Sequence, residues 1–168
     1  MNRLLAVILL SLTTLSAGAD DFDGPEYPYK VPLGLKSPDV PSDNPVTDAK
    51  VDLGKKLYFD KRLSRDATVS CATCHAPEKG WTDQSPVSTG IKGQKGGVSA
   101  PTVLNSAYME FQFWDGRAKN LEEQAKGPIQ NPIEMGFTHE EAVARLKTIK
   151  GYGPLFKKAF GDDAIDID

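Results

Sequence analysis

Five consecutive residues, Cys71-Ala72-Thr73-Cys74-His75, hold the most reactive side chains of the chain. They include both of its cysteines and one of its two histidines. Two thiols three residues apart, followed at once by an imidazole, form the C-x-x-C-H signal for covalent attachment of a c-type haem. Each thiol can add to one vinyl group of the porphyrin. His75 then sits under the ring and gives the iron its proximal nitrogen ligand. The rival readings are a thioredoxin-like redox pair, half of a zinc site and a short-range disulfide. A zinc site needs about four ligands, and His139 is the one further histidine or cysteine in the sequence. A redox pair should open a helix after a strand, and the flanks do not read that way. One covalently attached haem c is the reading these five residues favour.

Such a motif needs elements to hold it. Ser70 is a plausible N-cap, so a short helix can carry the two cysteines. Upstream, Thr47 caps a predicted helix over 48–59 with Ala49, Leu53 and Leu57 on one face. Downstream, residues 76–101 read as a long loop in which Gly90, Gly93, Gly96 and Gly97 oppose regular structure. A loop of that length in a small domain usually wraps something, here the porphyrin edge. A helix over 121–126 is capped by Asn120 and Glu123 and stopped by Gly127-Pro128. Another over 139–150 opens on a Thr138/Glu141 capping box, with Val143, Leu146 and Ile149 as its apolar face. A last helix over 154–160 ends at Gly161. Strand patterns are nearly absent. The expected fold is mostly α, a cytochrome c-like haem domain with long loops.

The termini and composition bound the setting. Residues 1–19 read as a secretory signal: Arg3 is the basic start, 4–15 the apolar core, and Ala17-Gly18-Ala19 a small-x-small cleavage site. Cleavage there leaves 19 basic against 23 acidic residues, a net charge of −4. The expected location is therefore periplasmic, with no membrane span after cleavage. Residues 20–45 are rich in Pro, Asp and Gly and read as an extended arm; 46–168 form the haem domain. No basic stripe points to nucleic acid.

With the haem placed, several flanking stretches become legible together. They are Leu53-Gly-Lys-Lys-Leu-Tyr-Phe-Asp60, Leu63-Ser64, Val69-Ser-Cys-Ala-Thr-Cys-His75, Ala100-Pro-Thr-Val-Leu-Asn105, Gln112-Phe-Trp-Asp-Gly-Arg117, Glu123-Gln-Ala-Lys-Gly-Pro128 and Asn131-Pro-Ile-Glu-Met-Gly136. In this order the chain resembles the bacterial di-haem cytochrome c peroxidases, a family that includes the methylamine-utilisation maturation enzymes. The resemblance spans roughly 45–165 and corresponds to the family's N-terminal, peroxidatic half. It implies a cytochrome-c peroxidase-like oxidoreductase that reduces hydrogen peroxide with electrons from a cytochrome or cupredoxin. By the same resemblance His75 is the proximal ligand, Glu134 the distal acid–base carboxylate, Gln124 a distal amide and Trp114 a ring on the electron route.

The chemistry suits these types. Cleaving O–O heterolytically requires a proton moved from one peroxide oxygen to the other, which a carboxyl group can do. An amide can hold a peroxide oxygen without competing for the proton. Each residue also has a plain alternative. Glu134 can be a solvated loop acid, Gln124 can face water, and Trp114 with Phe113 can be core. Arg117 can pair with a propionate or with Asp115, while Met109 and Met135 can be core or a sixth iron ligand. His139 is expected to be exposed.

Three departures from the family pattern stand out. There is no second C-x-x-C-H, so the chain is expected to be a fragment or to work with a second haem domain or a homodimer partner. Ile91 stands where many members have a histidine that ligates the resting iron, so an open sixth position is expected. Ser99 stands where an asparagine often helps hold calcium, so calcium binding is disfavoured. The alternative functions are a mono-haem electron-transfer cytochrome c, a peroxide-driven oxidase and an inactive haem-binding remnant.

Overall fold

The computed structural model describes residues 28–161 and 165–167. The expected signal over 1–19 and the start of the 20–45 arm lie outside the described residues. The fold is mostly α, with five α-helices and no named strand among the described residues. No helix there is long and apolar enough to cross a membrane.

Helix α1, Asp48–Phe59, starts where Thr47 is extended and its side chain accepts the Lys50 N–H. That cap satisfies one of the N–H groups orphaned at a helix start. Leu53 is buried and Leu57 packs on the core, while Ala49 stays half-buried. Asp60 ends α1 and opens the turn Lys61–Leu63 by accepting the Arg62 N–H. Helix α2, Cys71–Cys74, is one turn opened by a Ser70/Thr73 capping box. After a long irregular stretch come α3, Leu121–Gln130, α4, His139–Lys147, and α5, Tyr152–Phe160.

Helix α1 packs on α5 and α2, while α4 packs on α3, α5 and the 61–63 turn. The core joins Leu53, Leu63, Val69, Ile91, Met135, Leu146, Tyr152, Phe156 and Ile165. Each such side chain removed from water contributes roughly 1.5–3 kcal/mol before the entropy of ordering is subtracted.

Three expected boundaries moved. Helix α3 does not stop at Gly127-Pro128 but continues to Gln130. Gly127 serves packing there: a β-carbon on it would lie 3.0 Å from the Phe113 ring. Pro128 forfeits one intrahelical bond, yet the C-terminal carbonyls find partners, since Met135 N–H donates to Pro128 and Phe137 N–H to Ile129. Helix α4 ends at Lys147 rather than 150, because the Thr148 and Ile149 N–H groups turn back to residues 145 and 146 and the Thr148 hydroxyl donates to the Arg145 carbonyl. Helix α5 begins at Tyr152, two residues before the expected start. The described residues 28–45 hold no named element, and they are docked. Val40 is 4% exposed, and Asn44 Nδ2 donates to Glu122 Oε1 at 2.8 Å.

Asp60 links α1 to α5. It pairs with Arg62 at 2.6 Å and accepts the Tyr152 hydroxyl at 2.6 Å. Hydrogen bonding to Arg62, helped by Tyr152 and opposed by burial, lowers its carboxyl from 3.8 to about 2. A depressed carboxyl stabilises the fold fully above 3.8 and loses that contribution as pH falls toward about 2. Asp60→Asn is expected to cost about 2 kcal/mol in urea unfolding at pH 7. The gap between variant and parent should close in the same measurement as pH is lowered through that window.

Candidate haem-attachment and peroxide site

Cys71 and Cys74 lie one helical turn apart on α2, so both thiols face the same side. Both are unpaired thiols. Burial pushes the Cys71 thiol up to about 11 and raises Cys74 as well. A thioredoxin-like pair calls for the opposite, a depressed thiol, so these shifts do not favour the redox reading. No cluster of three or more His, Cys, Asp or Glu side chains suited to a metal ion occurs among the described residues, which removes support for zinc.

His75 follows as the C-cap of α2. Its Nδ1 lies 3.0 Å from the Pro101 carbonyl oxygen. A carbonyl only accepts, so Nδ1 carries the proton, and in the neutral imidazole Nε2 then keeps its lone pair. This is the tautomer an iron-ligating imidazole needs, with the second-shell partner that fixes the ring. The Tyr58 hydroxyl, from α1, donates to the His75 carbonyl at 3.0 Å. Burial, with the two cysteines nearby, raises Tyr58 to about 12, so it stays a neutral donor. Two unpaired, half-buried thiols on one face and an imidazole whose Nε2 makes no protein hydrogen bond fit a covalent c-type haem.

Trp114 is anchored by the same loop as His75. Its Nε1 donates to the Ser99 carbonyl at 2.9 Å, two residues before Pro101. The ring is 65% exposed, so the plain core reading of this tryptophan does not hold. Arg117 pairs with Asp115 at 2.8 Å and stacks 3.6 Å over the Phe113 ring.

Glu134 sits in the turn that follows α3. It is half-buried, and its Oε1 accepts from Asn131 Nδ2 at 2.7 Å. Burial raises its carboxyl, while Asn131, Arg117 and His75 pull it down. That pull brings the predicted proximal histidine and the predicted acid–base residue within electrostatic reach of each other. Gln124, on α3, is half-buried, and no hydrogen bond joins its side chain to Glu134, His75 or Trp114 among the described residues.

Two loops lock together beneath Glu134. A β-carbon on Gly90 would lie 1.9 Å from the Ile133 carbonyl oxygen and 2.7 Å from Glu134 backbone atoms. Ile91 N–H donates to the Glu134 carbonyl at 2.9 Å, Gln94 Nε2 to the Pro132 carbonyl at 3.0 Å, and Lys92 N–H to Asp66 Oδ2 at 3.2 Å. From below, Arg65 bonds Met135 and Gly136 carbonyls and pairs with Glu141. Ile91 is 3% exposed and turned into the core. Met135 is core as well at 4%, and Met109 is 55% exposed.

Several of these residues escaped sequence reasoning. Pro101 acts through a backbone carbonyl, which no side-chain type announces. Gly90 looked like a breaker of regular structure, whereas its role is close backbone approach. Asn131 had a usable signal, since Asn-Pro starts turns. His139 proves half-buried rather than exposed, because its Nε2 meets the Lys126 carbonyl at 3.0 Å across the α3–α4 contact.

The sequence model of the family described as di-haem cytochrome c peroxidase matches residues 48–168. The chain is 43% identical to cytochrome c551 peroxidase of Nitrosomonas europaea, covering 100% of this chain and 48% of that protein. It is 40% identical to methylamine utilization protein MauG of Methylophilus methylotrophus, covering 96% and 46%. The crystal structure of a MauG-like protein associated with microbial copper homeostasis superposes with a TM-score of 0.74 at 35% identity, over 81% of this chain and 41% of that one. The chain spans about half the length of the curated relatives it matches.

The loop lock predicts unequal glycines. Gly90→Ala is expected to lower stability by about 1–3 kcal/mol in chemical unfolding, because backbone must move. Gly97→Ala, whose β-carbon would meet nothing within 4 Å, should change it by less than about 0.5 kcal/mol.

Proposed function

The chain belongs to the di-haem cytochrome c peroxidase family, and from that premise we propose that it is the family's peroxide-reducing haem half. The observation that carries this reading is His75, whose Nδ1 is committed to the Pro101 carbonyl while Glu134 lies within electrostatic reach. Cys71 and Cys74 would hold one haem c, and His75 Nε2 would hold its iron. When bound, the haem supplies a centre that takes up peroxide and passes electrons to it.

The chain's own residues do the proton work. Glu134 accepts a proton from one oxygen of hydrogen peroxide and returns it to the other, which leaves as water. Two electrons and two further protons complete the reduction to a second water. Oε1 is held by Asn131, so Oε2 is the working atom. Burial raises the carboxyl and brings its proton affinity closer to the working pH. Gln124 steadies the peroxide from α3, and the surface ring of Trp114 lies on the route of incoming electrons.

Partners follow from the same surface. Val98, Leu104, Met109, Phe111 and Trp114 are large apolar side chains left exposed within one stretch. Apolar exposure on that scale suits a protein partner, here a second haem domain or a second copy of this chain. Electrons originate from a cytochrome or cupredoxin. The domain over 46–168 is exported by the 1–19 signal to the periplasm and acts there. A mono-haem electron carrier is the weaker reading, because the methionine nearest Glu134 is buried in the core.

Ile91 is part of the core, so the ferric, haem-loaded protein is expected to show a high-spin optical spectrum. A low-spin spectrum with two strong axial ligands would overturn the open-site reading. Glu134→Gln should leave haem attachment intact and slow the reaction with hydrogen peroxide by about 10²–10⁴-fold in stopped-flow mixing. In the parent, the acid limb of the pH–rate profile should lie above the ordinary carboxylate value of 4.5, and Glu134→Gln should abolish it.

A further inference from the structure

The turn over 131–136 is organised by one side chain. Asn131 Oδ1 accepts the Ile133 N–H at 3.0 Å, which leaves its Nδ2 facing Glu134. The amide orientation is therefore settled by chemistry, since a backbone N–H can only be met by the oxygen. Nδ2 donates to Glu134 Oε1 at 2.7 Å, and the Asn131 carbonyl accepts from the N–H groups of Glu134 at 3.0 Å and Gly136 at 2.9 Å. One residue thus holds the backbone of 133, 134 and 136 and one carboxylate oxygen of 134.

We propose that Asn131 is the positioning residue for Glu134, dedicating one carboxylate oxygen to its amide so that the other faces the peroxide in a single orientation. The proposal rests on the acid–base reading of Glu134. Rotation about the last side-chain bond of a glutamate is broad, so the turn backbone alone does not choose which oxygen is presented. A short hydrogen bond from a neutral amide to the carboxylate makes that choice and favours the ionised, proton-accepting form. The titratable groups facing Glu134 from other elements are Arg117 and His75, with Cys74 nearby. None of them donates a hydrogen bond to its carboxylate among the described residues, so the amide is the contact that orients it.

The two jobs of Asn131 are separable. Asn131→Asp keeps an acceptor for the Ile133 N–H but replaces the donor toward Glu134 by a second carboxylate oxygen. A purely structural asparagine tolerates that change. A positioning asparagine does not. In the haem-loaded chain, Asn131→Asp is expected to slow the reaction with hydrogen peroxide by about tenfold to a hundredfold. An independent readout is the infrared carbonyl band of the protonated Glu134 carboxyl, identified by its absence in Glu134→Gln. Its titration midpoint should move up by about one to two pH units in Asn131→Asp. Placed in the Glu134→Gln background, Asn131→Asp should add no further slowing. Parent-like rate and midpoint in Asn131→Asp, with Glu134→Gln still slow, would overturn the role of Asn131 alone. An unslowed Glu134→Gln, or a parent without reaction toward peroxide, would overturn the Glu134 reading itself. Should Asn131→Asp fail to load haem, Asn131→Ser keeps a short acceptor for Ile133 and is expected to show the same slowing with a smaller upward shift, since it adds no second carboxylate.

Discussion

The backbone of Gly90 runs so close to that of Ile133 and Glu134 that no β-carbon fits between them. Most of the site depends on this contact. It joins the loop after the haem motif to the turn after α3, two segments more than forty residues apart in sequence. Ile91 then drops into the core, and its N–H meets the Glu134 carbonyl. Gly136 completes the fit: its φ of 69° and the Ile91 methyl beside it leave no space for a side chain. Close packing of this kind transmits displacement, because dense interiors cannot absorb an added atom without shifting a neighbour.

A second anchoring principle operates on the other side of the motif. The segment 99–101 offers two carbonyls, one to the Trp114 indole and one to the His75 imidazole. A single stretch of extended chain thereby sets the ring planes of two residues that the sequence separates by 39 positions. The histidine bond also selects a tautomer, which is a chemical decision rather than a packing one. Both anchors use backbone oxygen, so side-chain identity at 99 and 101 matters less than the path of the chain.

Glu134 illustrates how opposing forces set the affinity of a carboxyl group for its proton. Burial alone would push a carboxyl strongly toward its neutral form. Asn131, Arg117 and His75 each favour the ionised form, and the balance leaves it raised. For the half-buried Cys71 and Cys74, burial outweighs the hydrogen bonds that lower their thiols, and both stay raised and neutral.

Local elements were legible in the sequence because their causes are local. The Thr47 cap with its Leu53 and Leu57 stripe, the Ser70 cap of the cysteine turn and the Thr138/Glu141 box all act within about four residues. The C-x-x-C-H spacing likewise encodes its own geometry, so haem attachment could be inferred before any fold was known. What failed was local inference about residues whose reason is remote. Gly127-Pro128 looked like a helix stop, but Phe113 wanted the missing side chain at 127. His139 looked exposed, but a carbonyl of α3 reaches it. Pro101, Gly90 and Asn131 work through contacts that exist only once distant segments meet. Sequence alone determined the chemistry available to this protein: two thiols, an imidazole, a carboxylate and an indole in a known order. Tertiary structure alone decided which nitrogen of His75 is free, which oxygen of Glu134 is free and which residues hold them, because those choices are made by hydrogen bonds between segments that the chain itself keeps far apart.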